Sequence, residues 1–143
     1  MVGANQWKGG YKKYSLSSAQ TTGSFEPSFM EADSYLGYSM TIAKTAYGPL
    51  TVIGAPRYQH KGVVLTVFNQ RLRDQINPNQ PQTGEYFGAE VCAMDVDSDG
   101  LTDLVLISSP MYKELDREGR VYVCKLTNSV NVKCLLYFFN PIC

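Results

Sequence analysis

The chain has 143 residues, is 44% hydrophobic and 12% aromatic, and carries 13 basic and 13 acidic side chains, so its formal net charge is +0. This composition is typical of a single globular domain and excludes a disordered chain. The charge balance gives no support for binding to nucleic acid or to an anionic membrane surface.

Membrane insertion and secretion signals are not visible in the sequence. The longest apolar runs, residues 104–107 and 135–139, are far shorter than the roughly 20 residues that a spanning helix needs. The first eight residues have no apolar core of the signal-peptide type. We therefore expect no membrane span within this chain and no signal peptide at its start.

One pattern occurs twice along the chain. Each copy begins with an aromatic-apolar-glycine element and continues, after an apolar strand, to a turn of two small residues and proline. Gly37 of the first copy and Gly88 of the second are 51 residues apart. The first copy contains Tyr35-Leu36-Gly37-Tyr38 and Gly54-Ala55-Pro56, and the second contains Tyr86-Phe87-Gly88-Ala89 and Ser108-Ser109-Pro110. Val2-Gly3-Ala4 is similar to the end of an earlier copy.

Each copy predicts four short antiparallel strands in about 50 residues, the size of one β-propeller blade. The polar segments 15–33 and 69–84 are predicted to be connections, and no stretch has convincing helical periodicity. The predicted fold is all-β: a partial β-propeller of two four-stranded blades and part of a preceding one. Because a propeller needs about four to eight blades to close, we expect the chain to be a piece of a larger propeller.

Residues 95–103 form an acidic loop with aspartates at relative positions 1, 3, 5 and 9 and a glycine at position 6. Alternating carboxylates around a sharp bend are typical of a Ca²⁺ loop. An EF-hand is excluded because position 12 is Leu106 and because a strand-like run follows the loop. The predicted ligands are the side chains of Asp95, Asp97, Asp99 and Asp103 and the main-chain carbonyl of Leu101. The alternative is a solvated acidic turn without a metal.

The four cysteines predict one disulfide. A hairpin centred on Ser129 would place Cys124 opposite Cys134, at a separation that a disulfide can span. This bridge would indicate an oxidising, extracellular setting. Cys92 lies in an apolar stretch and is predicted to be a buried thiol, and Cys143 is left unpaired. With one histidine in the sequence, neither a zinc cluster nor a catalytic triad can be built, so we expect no enzyme.

Four aromatic side chains beside the repeated glycines allow two interpretations. They could stack against a ligand, but aromatic residues on strands more often pack between blades, which is the interpretation we favour. These residues are Tyr35, Tyr38, Tyr86 and Phe87. The turn at residues 57–60 is either a partner contact or a solvated turn.

Phe87-Gly88, the acidic loop and Ser108-Ser109-Pro110 together resemble the FG-GAP repeat of integrin alpha chains. Further stretches resemble the leukocyte-type alpha chains that carry an inserted I domain. These stretches include Tyr35-Leu36-Gly37-Tyr38, Gly54-Ala55-Pro56-Arg57-Tyr58 and Gly119-Arg120-Val121-Tyr122-Val123-Cys124. The resemblance covers residues 1 to about 137. It divides the chain into the end of one repeat (1–15), two full repeats (33–73 and 84–137) and an atypical tail (138–143).

The resemblance implies an extracellular propeller segment of a type I receptor in the cell membrane. Such a receptor would pair with an integrin beta subunit, bind extracellular or cell-surface protein ligands and mediate cell adhesion. The resemblance also supports the bridge between Cys124 and Cys134. The first repeat has no carboxylate in residues 43–48, so no metal is expected there.

Two alternatives remain open at this point. One is a propeller segment of a secreted hydrolase with FG-GAP repeats, such as a glycosylphosphatidylinositol-specific phospholipase D. The other is a chain that has no function by itself because its ring does not close. The I domain, the remaining blades and the membrane span of the family are not in this sequence, so we expect a fragment.

Overall fold

The computed structural model describes residues 2–4, 9–127 and 131–135. Within these ranges the chain forms antiparallel sheets and contains no α-helix, which confirms the predicted all-β class. Two sheets have four strands each, as the repeat predicts for propeller blades, and a three-stranded sheet precedes them. A short 3₁₀ turn at Tyr58–His60 follows the first Gly-Ala-Pro element.

The described residues form eleven strands, and the strands of each sheet are consecutive along the chain. The N-terminal sheet contains β1 (Val2–Ala4), β2 (Gly10–Tyr14) and β3 (Thr21–Phe25). The middle sheet contains β4 (Ser39–Thr45), β5 (Gly48–Ala55), β6 (Val63–Phe68) and β7 (Arg71–Ile76). The C-terminal sheet contains β8 (Val91–Met94), β9 (Leu104–Glu114), β10 (Arg117–Leu126) and β11 (Val132–Leu135). Within each sheet, every strand pairs with the next one along the chain, as in an up-and-down meander.

The two predicted connections are only partly irregular. Segment 15–33 contains β3, and segment 69–84 contains β7, so the expectation that both are loops is wrong. Both strands are the last of their sheets and most of their side chains are exposed. An outer strand of this kind has little apolar alternation, which is why its polar sequence resembles a connection.

Neighbouring sheets are joined by one recurring contact. Gly9 forms a parallel bridge with Leu36, and Gly62 forms the same bridge with Phe87. Gly62 has a φ of 107°, and a Cβ atom there would overlap the main-chain carbonyl of Phe87. Only glycine allows the two backbones to approach so closely in this conformation. The glycine before β6 therefore fixes where the aromatic-glycine element of the next repeat lies.

The aromatic-glycine element is also bonded to the small-residue turn of its own repeat. The Gly37 amide donates to the Gly54 carbonyl at 3.0 Å, and the Gly88 amide donates to the Ser108 carbonyl at 2.9 Å. These equivalent bonds show that the two sequence copies are also structural copies. Ser108 occupies the position of Gly54, so both copies have a small residue at this tight bend.

Two apolar clusters lie between the sheets, one on each face of the middle sheet. The first lies against the N-terminal sheet and the second against the C-terminal sheet. Successive strand residues point to opposite faces, so Val52 and Ile53 of β5 belong to different clusters. The middle sheet is therefore buried on both sides, in the way that stacked blades bury one another.

Cys92 is exposed, and the prediction of a buried thiol is wrong. In β8 the side chains of Val91 and Ala93 face the second apolar cluster, so Cys92 between them points to the opposite face of the C-terminal sheet. An apolar stretch in the sequence does not show which of its residues face the core. The predicted hairpin centre at Ser129, the tail 138–143 and Cys143 lie outside the described residues.

Candidate metal centre and neighbouring surfaces

The acidic loop joins β8 to β9 within one antiparallel hairpin, as expected for this repeat. Its neck is closed by the amide of Asp103, which donates to the Met94 carbonyl at 2.8 Å. The carbonyl of Asp103 accepts the amide of Leu126 on β10 at 2.8 Å. The loop is thus fixed at its base to three strands of the C-terminal sheet.

Hydrogen bonds within the loop fold its carboxylates over its own backbone. The Gly100 amide donates to Asp95 Oδ2 at 2.9 Å, the Asp99 amide to Asp97 Oδ1 at 3.1 Å and the Leu101 amide to Asp99 Oδ1 at 2.7 Å. Gly100 has a φ of 89°, a conformation that glycine adopts without strain. The amide bonds and the bend together turn the three side chains toward a common centre.

Oxygen atoms of Asp95, Asp97 and Asp99 lie within 4.8 Å of one another. Hard oxygen ligands at this spacing, with no sulfur or nitrogen donor among them, fit a hard divalent cation. Asp103 is not a member of this group, and its Oδ2 accepts the Val96 amide at 2.7 Å. The structure therefore brings together three of the four predicted carboxylates and places the fourth at the neck of the loop.

The charges within the loop act on one another. The bond from the Asp99 amide lowers the pKa of Asp97, but desolvation and the negative charges of Asp99, Asp103 and Asp95 outweigh it and raise that pKa. Repulsion of this kind disfavours the ionised loop, and a bound cation would remove it. The donor set and its electrostatics both suit a metal ion.

The loop also touches the neighbouring blade. The Thr102 amide donates to the carbonyl of Lys44 in β4 at 2.8 Å, and the Lys44 amide donates to Thr102 Oγ1 at 2.9 Å. Sequence reasoning missed this contact because nothing local in either segment indicates it. It connects the acidic loop to the β4 edge of the middle sheet.

Cys124 and Cys134 are joined by a disulfide. They lie directly opposite each other in the register of β10 and β11. The bridge holds the last strand of the C-terminal sheet against its neighbour.

Of the aromatic residues beside the repeated glycines, Phe87 is buried, Tyr38 is exposed, and Tyr35 and Tyr86 are partly buried. Phe87 is buried in the second apolar cluster and meets the Tyr122 ring edge-to-face, with a centroid separation of 5.0 Å. Tyr38 is 51% exposed, stacks on Tyr35 at 6.4 Å and meets Tyr86 edge-to-face at 5.7 Å. The interpretation as packing holds for Phe87, whereas the three tyrosines form a surface group.

Arg57 extends that surface group, because its guanidinium lies 4.8 Å from the centroid of the Tyr35 ring. We call Tyr35, Tyr38, Tyr86 and Arg57 the aromatic patch. Its members come from two neighbouring repeats. Tyrosine and arginine are among the residue types most enriched at the centres of protein interfaces.

A buried acidic residue, Glu85, was missed by sequence reasoning. It is 0% exposed, and Ser109 Oγ and Tyr122 OH both donate to its Oε2, at 3.1 Å and 3.4 Å. Burial, and secondarily the charge of Glu85, raises the pKa of Tyr122 to about 12. A comparison of the two copies gives a clue to this buried group. Glu85 occupies the position that Ser34 has in the first copy, and Ser109 occupies the position of Ala55.

The sequence of residues 87–124 matches the FG-GAP repeat family. Integrin alpha-D of Homo sapiens is 42% identical over 128 residues, and human integrin alpha-X is 43% identical over 128 residues. Each of these alignments covers 87% of this chain and 11% of the relative. Human integrin alpha-E is 35% identical over 134 residues, which cover 88% of this chain and 11% of the relative.

Sheets of propeller-blade type and the matched repeat define the chain as an FG-GAP β-propeller segment. Along the aligned residues the chain belongs to the integrin alpha family, with leukocyte-type members among its relatives. It spans about a tenth of the length of these curated relatives. Among the residues that the structure describes, no helix has the length and apolar character needed to cross a membrane.

Proposed function

We propose that the chain is an extracellular propeller segment of an integrin alpha subunit and acts in cell adhesion at the cell surface. The subunit would pair with an integrin beta subunit and bind extracellular or cell-surface protein ligands. The observation that carries the proposal is the identity of 42% to integrin alpha-D across 87% of the chain. The division into repeats at 33–73 and 84–137, with 1–15 as the end of a preceding repeat, is part of this proposal.

The acidic loop is proposed to hold one structural Ca²⁺. Asp95, Asp97 and Asp99 would supply the clustered carboxylates, with the Leu101 carbonyl and the Asp103 side chain completing the set. For Asp103 this requires its second oxygen to turn toward the ion, because Oδ2 holds the Val96 amide. Ca²⁺ accepts six to eight oxygens in flexible geometry, which suits an irregular loop better than the octahedron of Mg²⁺.

A metal in this place would serve structure and not catalysis. The neck of the loop is bonded to β8 and β10, so an ion would lock the β8–β9 hairpin against the sheet. Thermal unfolding of the full chain with Ca²⁺ and with a chelator tests this. We expect stabilisation of about 2.7 kcal/mol at a Ca²⁺ concentration about a hundred times the dissociation constant. An unchanged melting temperature would refute the structural calcium.

The aromatic patch is proposed as a contact surface for the beta subunit. Partly exposed tyrosines and an arginine held over a ring supply rigid contact area with little loss of side-chain freedom. Their position on turns of two adjacent repeats would let one partner bridge both repeats. Tyr38 is the centre of the patch, because it contacts both of the other tyrosines.

The partner proposal is tested in cells that express the natural protein containing this chain together with an integrin beta subunit. We expect Tyr38→Ser to reduce recovery of the beta subunit with the alpha subunit at the cell surface. Tyr47→Ser is the matched control, because Tyr47 is 68% exposed at the other end of the β4–β5 hairpin. Equal loss of pairing in both variants, or in neither, would contradict the role of the patch.

No observation favours the hydrolase alternative, since the relatives named above are integrin alpha chains. We therefore propose that this segment has no enzymatic activity. Reaction of the natural protein with a glycosylphosphatidylinositol substrate would contradict that proposal.

A further inference from the structure

Thr102 of the acidic loop makes two hydrogen bonds to Lys44, at the edge of the neighbouring blade. β4 is an edge strand of the middle sheet, at the opposite edge from β7, so backbone groups on its open side need partners from elsewhere. Lys44 lies opposite Pro49 of β5, and its own N–H and C=O groups point away from β5, to the open side of the strand. Thr102 supplies both an N–H donor and a hydroxyl acceptor to Lys44 and so completes this part of the edge.

Thr102 lies in the chain between two proposed calcium ligands. The carbonyl of Leu101 precedes it, and the carboxylate of Asp103 follows it. Residues 95–101 are exposed, and within the loop they are held by amide-to-carboxylate bonds among mutually repelling side chains. An ion that fixes the groups on both sides of Thr102 also restricts its backbone, which lowers the entropy lost when Thr102 binds Lys44.

We propose that Thr102 is a positioning residue that couples occupation of the acidic loop to the edge of the preceding blade. The cation and Lys44 then favour the same conformation of Thr102. Calcium would strengthen the Lys44–Thr102 pair, and the pair would strengthen calcium binding by the same factor, because coupling between two binding events is reciprocal. This inference rests on the proposed calcium site.

The direct measurement is hydrogen exchange of the Lys44 amide in the full chain, followed by NMR with calcium and with a chelator. We expect calcium to slow exchange at Lys44 about fivefold, within the range that one hydrogen bond contributes. The control amide is that of Tyr47, which donates to Thr45 Oγ1 within the same hairpin. Its exchange should change less than about twofold.

Thr102→Val removes the acceptor for the Lys44 amide and keeps the β-branched shape. We expect it to abolish the calcium-dependent slowing at Lys44 and to weaken calcium binding by the same factor of about five. Thr102→Ser keeps the hydroxyl and should retain both effects. If Thr102→Val does not fold, Thr102→Ala serves as the variant without a hydroxyl.

The outcomes separate the two proposals. Calcium that binds without slowing exchange at Lys44 overturns the coupling and leaves the calcium site intact. A chain that does not bind calcium at all overturns both. Equal slowing in Thr102→Val and in the wild type refutes the role of the Thr102 hydroxyl.

Discussion

Replacement of Phe87 by alanine tests how the FG-GAP repeat holds neighbouring blades together. Phe87 is 1% exposed, lies in the second apolar cluster and makes the parallel bridge with Gly62. Deleting a buried phenylalanine side chain costs about 3–5 kcal/mol, because apolar contacts are lost and a cavity remains. This is a large part of the roughly 5–15 kcal/mol that stabilises a typical domain.

The contribution of the aromatic ring of Phe87 to stability can be measured separately from that of its apolar volume. Phe87→Leu keeps most of the apolar volume and introduces the residue type that the first copy has at Leu36. It loses the edge-to-face contact with Tyr122, which is worth about 0.5–1.5 kcal/mol. We therefore expect the loss for leucine to be about 1 kcal/mol and clearly smaller than the loss for alanine.

The assay is urea unfolding of the full chain, followed by far-ultraviolet circular dichroism. The midpoint should decrease in the order wild type, leucine variant, alanine variant, at a constant slope of free energy against urea concentration. Tyr38→Ala is the control, since Tyr38 is 51% exposed and its loss should have a small effect. If Phe87→Ala lost less than about 1 kcal/mol, Phe87 could not be the packing element that we describe.

Three further predictions concern the backbone, the disulfide and the buried tyrosine. Gly62→Ala should destabilise the fold by more than about 1 kcal/mol in urea unfolding, because its Cβ meets the Phe87 carbonyl and its φ is positive. Gly84→Ala, also at a positive φ but with open space around it, should cost less, and equal costs would refute the close approach. Replacing Cys124 and Cys134 together by alanine should lower the free energy of unfolding by somewhat less than about 3 kcal/mol in the same assay, because the closed loop is short; no change would show that the bridge does not restrict the unfolded chain. Because the pKa of Tyr122 is raised to about 12 from 10.0, its contribution to stability is complete below pH 10 and is lost as the pH rises to about 12. Unfolding at several pH values should show this loss in the wild type relative to Tyr122→Phe, and parallel pH profiles would contradict it.

The repeat and the loop could be predicted because their causes are local. The glycine and small-residue turns need particular backbone conformations, and alternating aspartates around Gly100 supply the oxygen ligands and the bend that a Ca²⁺ loop requires. The edge strand β7 could not be predicted, since its exposed side chains give no apolar alternation. Local sequence also does not show that Cys92 points away from the core.

Contacts between residues far apart in the chain were the least predictable part. Glu85 is a charged residue that ordinary statistics place at the surface, yet Ser109 and Tyr122 give it partners in the interior. The bonds between Thr102 and Lys44 join residues 58 positions apart. The Thr102–Lys44 pair depends on how two blades are placed, which no periodicity within one blade specifies.

The most direct test of the central claim is calorimetric titration of the full chain with Ca²⁺. We predict binding of about one ion per chain, because one repeat has the acidic loop and the other has a two-residue turn between β4 and β5. Asp97→Asn should greatly weaken binding, whereas Asp116→Asn, on the exposed β9–β10 turn, should bind like the wild type. No heat of binding in the wild type, or equal binding by the Asp97 variant, would contradict the structural calcium site.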